Sequence, residues 1–281
     1  MLKKLLKQEG KETWRIPALA CALMIILTLV SVICFTRMSP PANADELNAG
    51  AFVLMMFYVL TISCVSVVVS IYIAVRFYKN LYTDEGYLMH FLPVTPRQLL
   101  VSKLTVGSLW SFLVTILTLW AVFLIMIFGL PVMVKDDLNL SFTLLVNYAK
   151  EYSHALFGMS LPVFTVFMFF YFLISAVSNV LIVYGAVSLG QMFSKHKVMA
   201  SILCYIGVTI IIQTLTSLAM TPYLTKMVVT HVGNSTSLEI PEFMGAFMRN
   251  TFIFSLVACV LTGIGCYILS EYLMKKQLNL D

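Results

Sequence analysis

Charge is what this sequence has least of. Only 11% of its 281 residues are Asp, Glu, Lys or Arg, against about 25% in soluble globular domains. Residues 155–193 hold none at all. Five other runs, 16–36, 51–75, 104–134, 198–222 and 250–270, are also uncharged and apolar. The longest stretch outside these runs is 76–103, too short for a soluble catalytic domain.

Other absences narrow the chemistry. The six cysteines, Cys21, Cys34, Cys64, Cys204, Cys259 and Cys266, all lie within the apolar runs. That excludes a loop disulfide framework or a Cys metal cluster and suits small buried hydrophobes. Cys259 and Cys266 share a helix face, and Gly263 and Gly265 beside them point to close helix packing. His90, His154, His196 and His231 are scattered singly, with no ligand at metal spacing, so no metal is expected. A phosphate-binding loop is missing: Gly10-Lys11 is followed by Glu12 and lacks the preceding glycine. There is no His-Glu-x-x-His motif, and no Ser–His–Asp set falls at one membrane depth. No charge lies in the middle of a run, which argues against an ion-coupled secondary transporter. Apart from Asn250 at the start of the last run, the polar residues within the runs are Asn179, Gln191, Gln213 and Ser or Thr. Asn179, the deepest, is expected to make an interhelical hydrogen bond.

What remains is hydrophobic: 60% of the chain. About 20 apolar residues span the hydrocarbon core as a helix, and all six runs are long enough. A helix satisfies its own backbone, so such runs are read as spans. The expected fold is an all-α polytopic membrane protein with six transmembrane helices. It forms a single transmembrane domain, 1–281.

The basic residues orient it. With the N-terminus inside, 13 of the 18 Lys and Arg fall on the inner side and 5 on the outer. Asp45, Glu46, Asp136, Asp137, Glu151, Glu239 and Glu242 fall outside. Basic charge on the inner side is the topology signal, so the net charge of +5 implies no nucleic-acid partner. Both termini are expected to be cytoplasmic. As a single helix, 155–193 would be ~58 Å long. One crossing is expected there, with extra turns or a re-entrant piece at its outer end near Pro162. The first run is longer than a signal-peptide core and is expected to remain as an uncleaved span, despite Ala42-Asn43-Ala44.

Three segments outside the runs have structure of their own. Residues 1–15 read as a basic amphipathic helix. Leu2, Leu5 and Leu6 share a face, Lys3, Lys4, Lys7 and Lys11 occupy the rest, and Trp14 marks the border, a pattern suited to the headgroup layer. Residues 136–153 carry enough apolar residues for a surface helix. Pro241 suggests that the last helix starts outside and runs to about Lys276. Asn234-Ser235-Thr236 is a glycosylation sequon that matters only in a secretory path.

The segment 76–103 is the richest. Thr83-Asp84-Glu85 is a helix start with acids in the first turn. Tyr87, Leu88, Phe91 and Leu92 give the short helix an apolar face, and Pro93 ends it. Thr95-Pro96-Arg97-Gln98 is a second start, with a cap, proline at the first position and a capping-box Gln. The residues alone leave two uses for the short helix open: a link resting on lipid, or a docking element for a soluble partner.

The order of these parts resembles the type-2 ABC exporter permease family. The motif stretches are Thr83-Asp84-Glu85-Gly86-Tyr87-Leu88, Leu92-Pro93-Val94, Leu99-Leu100 and Ser102-Lys103. A second stretch, Ser188-Leu189-Gly190-Gln191-Met192-Phe193 through Lys195-His196-Lys197, resembles a segment of related permeases. Tyr87 follows the glycine where Thr is common in the family, and Ser102 stands where Gly is common. The resemblance implies a bacterial plasma-membrane exporter with two permease halves, identical or different, and two ABC ATPase subunits. It also implies that Asp84, Glu85, Gly86, Tyr87, Leu88, Phe91 and Leu92 form a coupling helix seated on the ATPase. ATP and Mg would be bound by that partner, with no catalytic residue or cofactor in this chain. The substrate is left open among lipid-like molecules, hydrophobic drugs and antimicrobial peptides. Two other classes compete: a polytopic membrane enzyme such as an intramembrane protease, and a membrane anchor or sensor without transport.

Overall fold

The computed structural model describes residues 2–38, 48–82, 96–133, 142–193, 197–233 and 240–277. Every regular element among the described residues is an α-helix. The helices are α1 (Leu2–Thr13), α2 (Arg15–Arg37), α3 (Ala49–Tyr82), α4 (Pro96–Met133), α5 (Phe142–Phe157), α6 (Leu161–Gly190), α7 (Lys197–Gly233) and α8 (Ile240–Gln277). Six of them are long and apolar enough to cross a membrane. Their crossing segments are Arg15–Arg37, Ala49–Tyr82, Arg97–Gly129, Leu161–Gly190, Lys197–Pro222 and Phe247–Met274. The all-helical polytopic expectation therefore holds at that level. The proposed short helix of 83–92 lies outside the described residues.

The chain divides into two compact units, Met1–Ser141 and Phe142–Asp281. Each holds three of the long helices and one shorter helix. In the first unit α4 packs against α1, α2 and α3. Met24 and Thr28 of α2, Val69 and Phe77 of α3 and Leu100 of α4 are buried nearly completely. Thr28 is part of a buried polar link: Tyr58 donates to Thr28 Oγ1 at 2.9 Å, and Thr28 donates to the Met24 carbonyl at 2.7 Å. Gly129 leaves room for Phe35, whose ring lies 3.5 Å from where a Cβ would stand.

In the second unit α6 packs against α5, α7 and α8. Small residues set the α6–α8 contact. A Cβ on Gly185 would stand 3.0 Å from Cys266 Cβ, and one on Gly263 3.1 Å from Ser178 Oγ. Ser178 donates to the Cys259 carbonyl at 2.7 Å. The close packing expected around Cys259, Cys266 and Gly263 is present, whereas Gly265 faces open space. Nearer the other end, Phe157, Phe164, Tyr171 and Phe252 join α5, α6 and α8. Their ring centroids are 4.8 to 5.6 Å apart. Tyr171 and Ser255 share a hydrogen bond of 3.0 Å.

Residues 155–193 are not one helix. Ala155 to Phe157 end α5, and Gly158 turns the chain at φ +64°. Its N–H donates to the His154 carbonyl at 3.0 Å, the left-handed stop that glycine permits at a helix end. Ser160 is extended and α6 starts at Leu161, with Pro162 in its first turn. The long run thus contains a helix end, a turn and one span. Charge alone gave no sign of the break.

Large apolar side chains face outward on all six long helices, including Leu19, Phe57, Leu109, Phe170, Leu203 and Leu261. In water such a surface would be an aggregation hazard; against lipid chains it costs nothing.

Candidate functional site

Among the described residues, the most polar buried feature is an ion cluster in the first unit. Glu9 of α1, Arg76 of α3 and Lys103 of α4 meet there, with Glu12 of α1 at the edge. Lys103 Nζ donates to Glu9 Oε1. Arg76 Nη2 lies 3.5 Å from Glu9 Oε2 and 2.9 Å from Glu12 Oε2. Arg76 Nη1 donates to the Tyr72 hydroxyl at 3.4 Å. Glu9 and Lys103 are 5% and 4% exposed, so this pair is withdrawn from solvent. The Glu12 side chain is 47% exposed, and its pair with Arg76 is the weaker one.

Local sequence places each group. At 3.6 residues per turn, Leu2, Leu5, Leu6, Glu9 and Thr13 fall along one stripe of α1. Thr13 donates back to the Glu9 carbonyl at 2.7 Å. Lys3, Lys4, Lys7 and Lys11 lie on the opposite side and are exposed. The ladder is interrupted just after α1, because Pro17 has no N–H to give the Thr13 carbonyl. α2 then begins at Arg15. Arg76 sits in the last two turns of α3 and Lys103 in the second turn of α4. The segment 83–95 joins those two helix ends.

Taking two charges out of water is costly, and mutual attraction offsets it only when hydrogen bonds are well made. Here one carboxylate receives an ammonium on one oxygen and faces a guanidinium with the other. Opening such a pair is strongly destabilising. The cluster is therefore a fastener between α1 and the ends of α3 and α4. It has no nucleophile paired with a base, so it is suited to holding and transmitting position.

Sequence reading passed over Glu9 and Glu12. The signal was present: Glu9 lies four residues after Leu5 on the apolar stripe, while every lysine of α1 lies away from it. Lys103 was singled out only as a family position and a topology charge, and Arg76 only as the latter. The residues expected to couple to an ATPase, Asp84, Glu85, Gly86, Tyr87, Leu88, Phe91 and Leu92, lie outside the described residues.

In the second unit, Asn179 does not take the interhelical role expected of it. It lies on the exposed side of α6, and its neighbour Ser178 bonds across to α8 instead. Gln213 is also exposed, whereas Gln191 is 7% exposed at the end of α6. The end of α6 and the start of α7 pack closely at Gly190. A Cβ on Gly190 would overlap Ser201 Oγ and stand 2.5 Å from the Ser201 nitrogen, so glycine alone lets α7 approach. Among the described residues, no group of His, Cys, Asp and Glu could hold a metal ion.

No protein-family model, curated protein or solved structure matches the chain.

Proposed function

We propose that this chain is the membrane-spanning permease subunit of an ATP-driven exporter in a bacterial plasma membrane, with its termini and the 83–95 segment on the cytoplasmic side. ATP would be bound and hydrolysed by a separate ABC ATPase subunit. A second permease subunit, identical or different, would complete the pathway. Asp84, Glu85, Tyr87, Leu88 and Phe91 would form the seat for the ATPase.

One observation supports this reading most. The Glu9–Arg76–Lys103 cluster fastens α1 to the two helix ends joined by 83–95. A displacement imposed on that segment would reach α3 and α4 directly through the backbone. Through the cluster it would also reach α1. The partner's differential contacts with two conformations would then bias the spans between inward- and outward-facing states.

The test is reconstitution. The purified chain alone should neither bind nor hydrolyse ATP. Co-expressed with a phosphate-loop ATPase encoded beside it, it should co-purify as a stable complex. In vesicles that complex should hydrolyse ATP and move a hydrophobic or amphipathic cargo. Saturable ATP binding by the isolated chain, or failure of every neighbouring ATPase to associate, would overturn the proposal.

A further inference from the structure

We propose that the outward face of α1 is a seat for anionic lipid headgroups. Lys3, Lys4, Lys7, Lys11 and Arg15 are all exposed. The two acids of the same helix are turned to other partners: Glu9 is buried against Lys103 and Arg76, and Glu12 is paired with Arg76. The exposed face is consequently more cationic than the composition of α1 suggests. Its acids neutralise cations of α3 and α4 instead of its own lysines.

The location follows from the chain. α2 is apolar enough to cross a membrane and begins at Arg15, directly after α1. The lysine face is therefore held at the membrane boundary. Trp14 at the junction is 52% exposed, and tryptophan favours the headgroup level. Clustered Lys and Arg beside a span attract anionic lipid through its surface potential, and the attraction is screened by salt. Charge complementarity selects acidic headgroups over zwitterionic ones. This inference does not depend on the transport reading.

Local quenching tests it in the full-length chain. Trp110→Phe and Trp120→Phe leave Trp14 as the sole tryptophan of the three. The chain is placed in phosphatidylcholine nanodiscs in which about one lipid in five is brominated phosphatidylglycerol or, for comparison, brominated phosphatidylcholine. Brominated phosphatidylglycerol should quench Trp14 about twofold more strongly, and high salt should erase the excess. Lys3→Gln/Lys4→Gln/Lys7→Gln/Lys11→Gln, all at exposed positions, should erase it at low salt too. The unaltered chain gives a second readout. Ejected from mixed bilayers for native mass spectrometry, it should carry phosphatidylglycerol in excess of its share, and the four-lysine variant should not. Equal quenching by the two lipids, or no excess of retained phosphatidylglycerol, would overturn the proposal.

Discussion

Glu9 is held in a site only 5% exposed because two cations reach it there. Glu9→Gln would leave the Lys103 ammonium buried beside a neutral amide. Breaking a buried pair in this way costs about 3–5 kcal/mol. Glu12→Gln should cost at most about 1 kcal/mol, since that carboxylate is half in solvent. Thermal unfolding of the purified variants in one detergent should separate the two clearly. Adding Lys103→Met to Glu9→Gln should recover part of the loss, because a buried ammonium then no longer faces the amide. Equal midpoints for Glu9→Gln and Glu12→Gln would show that burial of Glu9 contributes nothing. Other residue-level features were legible unevenly. Gly263 and the two cysteines near it announced a close crossing through their small size. Ser178 gave no such notice, because a serine in an apolar run bonds as readily to its own helix as to a neighbour. Asn179 was the more polar choice and the wrong one: its direction is set by helix phase, one step of about 100° from Ser178.

Among the elements, the spans were the most legible and their ends the least. Apolar length identified all six, and Pro96 and Pro241 marked the starts of α4 and α8 to within a residue. The extra turns expected near Pro162 are the end of α5, but the stop itself was not placed, because a break in a membrane protein need not carry charge. Gly158 and Pro162 were its marks. Two glycines now separate two kinds of constraint. At Gly158 a Cβ would meet nothing within 4 Å, yet φ is +64°. Gly158→Ala should therefore cost only the left-handed backbone penalty, about 1–2 kcal/mol. At Gly190 the backbone is ordinary but the space is filled by Ser201. Gly190→Ala must push α7 away from α6 and should cost more, about 3 kcal/mol or above by analogy with overpacked cores. Gly265→Ala, in open space within a helix, should be neutral or slightly stabilising. Unfolding midpoints of the three variants test the ranking, and a Gly190→Ala protein as stable as Gly265→Ala would contradict it.

At the scale of the whole molecule, the proposed orientation rests on the distribution of basic residues and the proposed activity on the family resemblance. The 13-to-5 asymmetry of Lys and Arg is the ground for proposing that both termini are inside. A membrane-impermeant thiol reagent applied to intact cells should miss a cysteine placed at Lys195 or Lys276 and reach one placed at Asn234. Labelling at Lys276 would contradict the six-span arrangement. Most of the candidate fastening site escaped sequence reading for a physical reason. Its members are far apart in the chain, and only the packing of α1 on α4 brings Glu9 to Lys103. The most direct measurement of the central claim is a partner-retention assay on Leu88→Ala/Phe91→Ala in the full-length chain. Apolar anchors at an interface can each cost about 2 kcal/mol or more when truncated, whereas two truncations outside the six long helices should not unfold them. Expected are near-normal abundance in the membrane, at least a tenfold loss of co-purified ATPase, about 1.4 kcal/mol, and a matching loss of transport. Full retention of the ATPase together with full transport would contradict it.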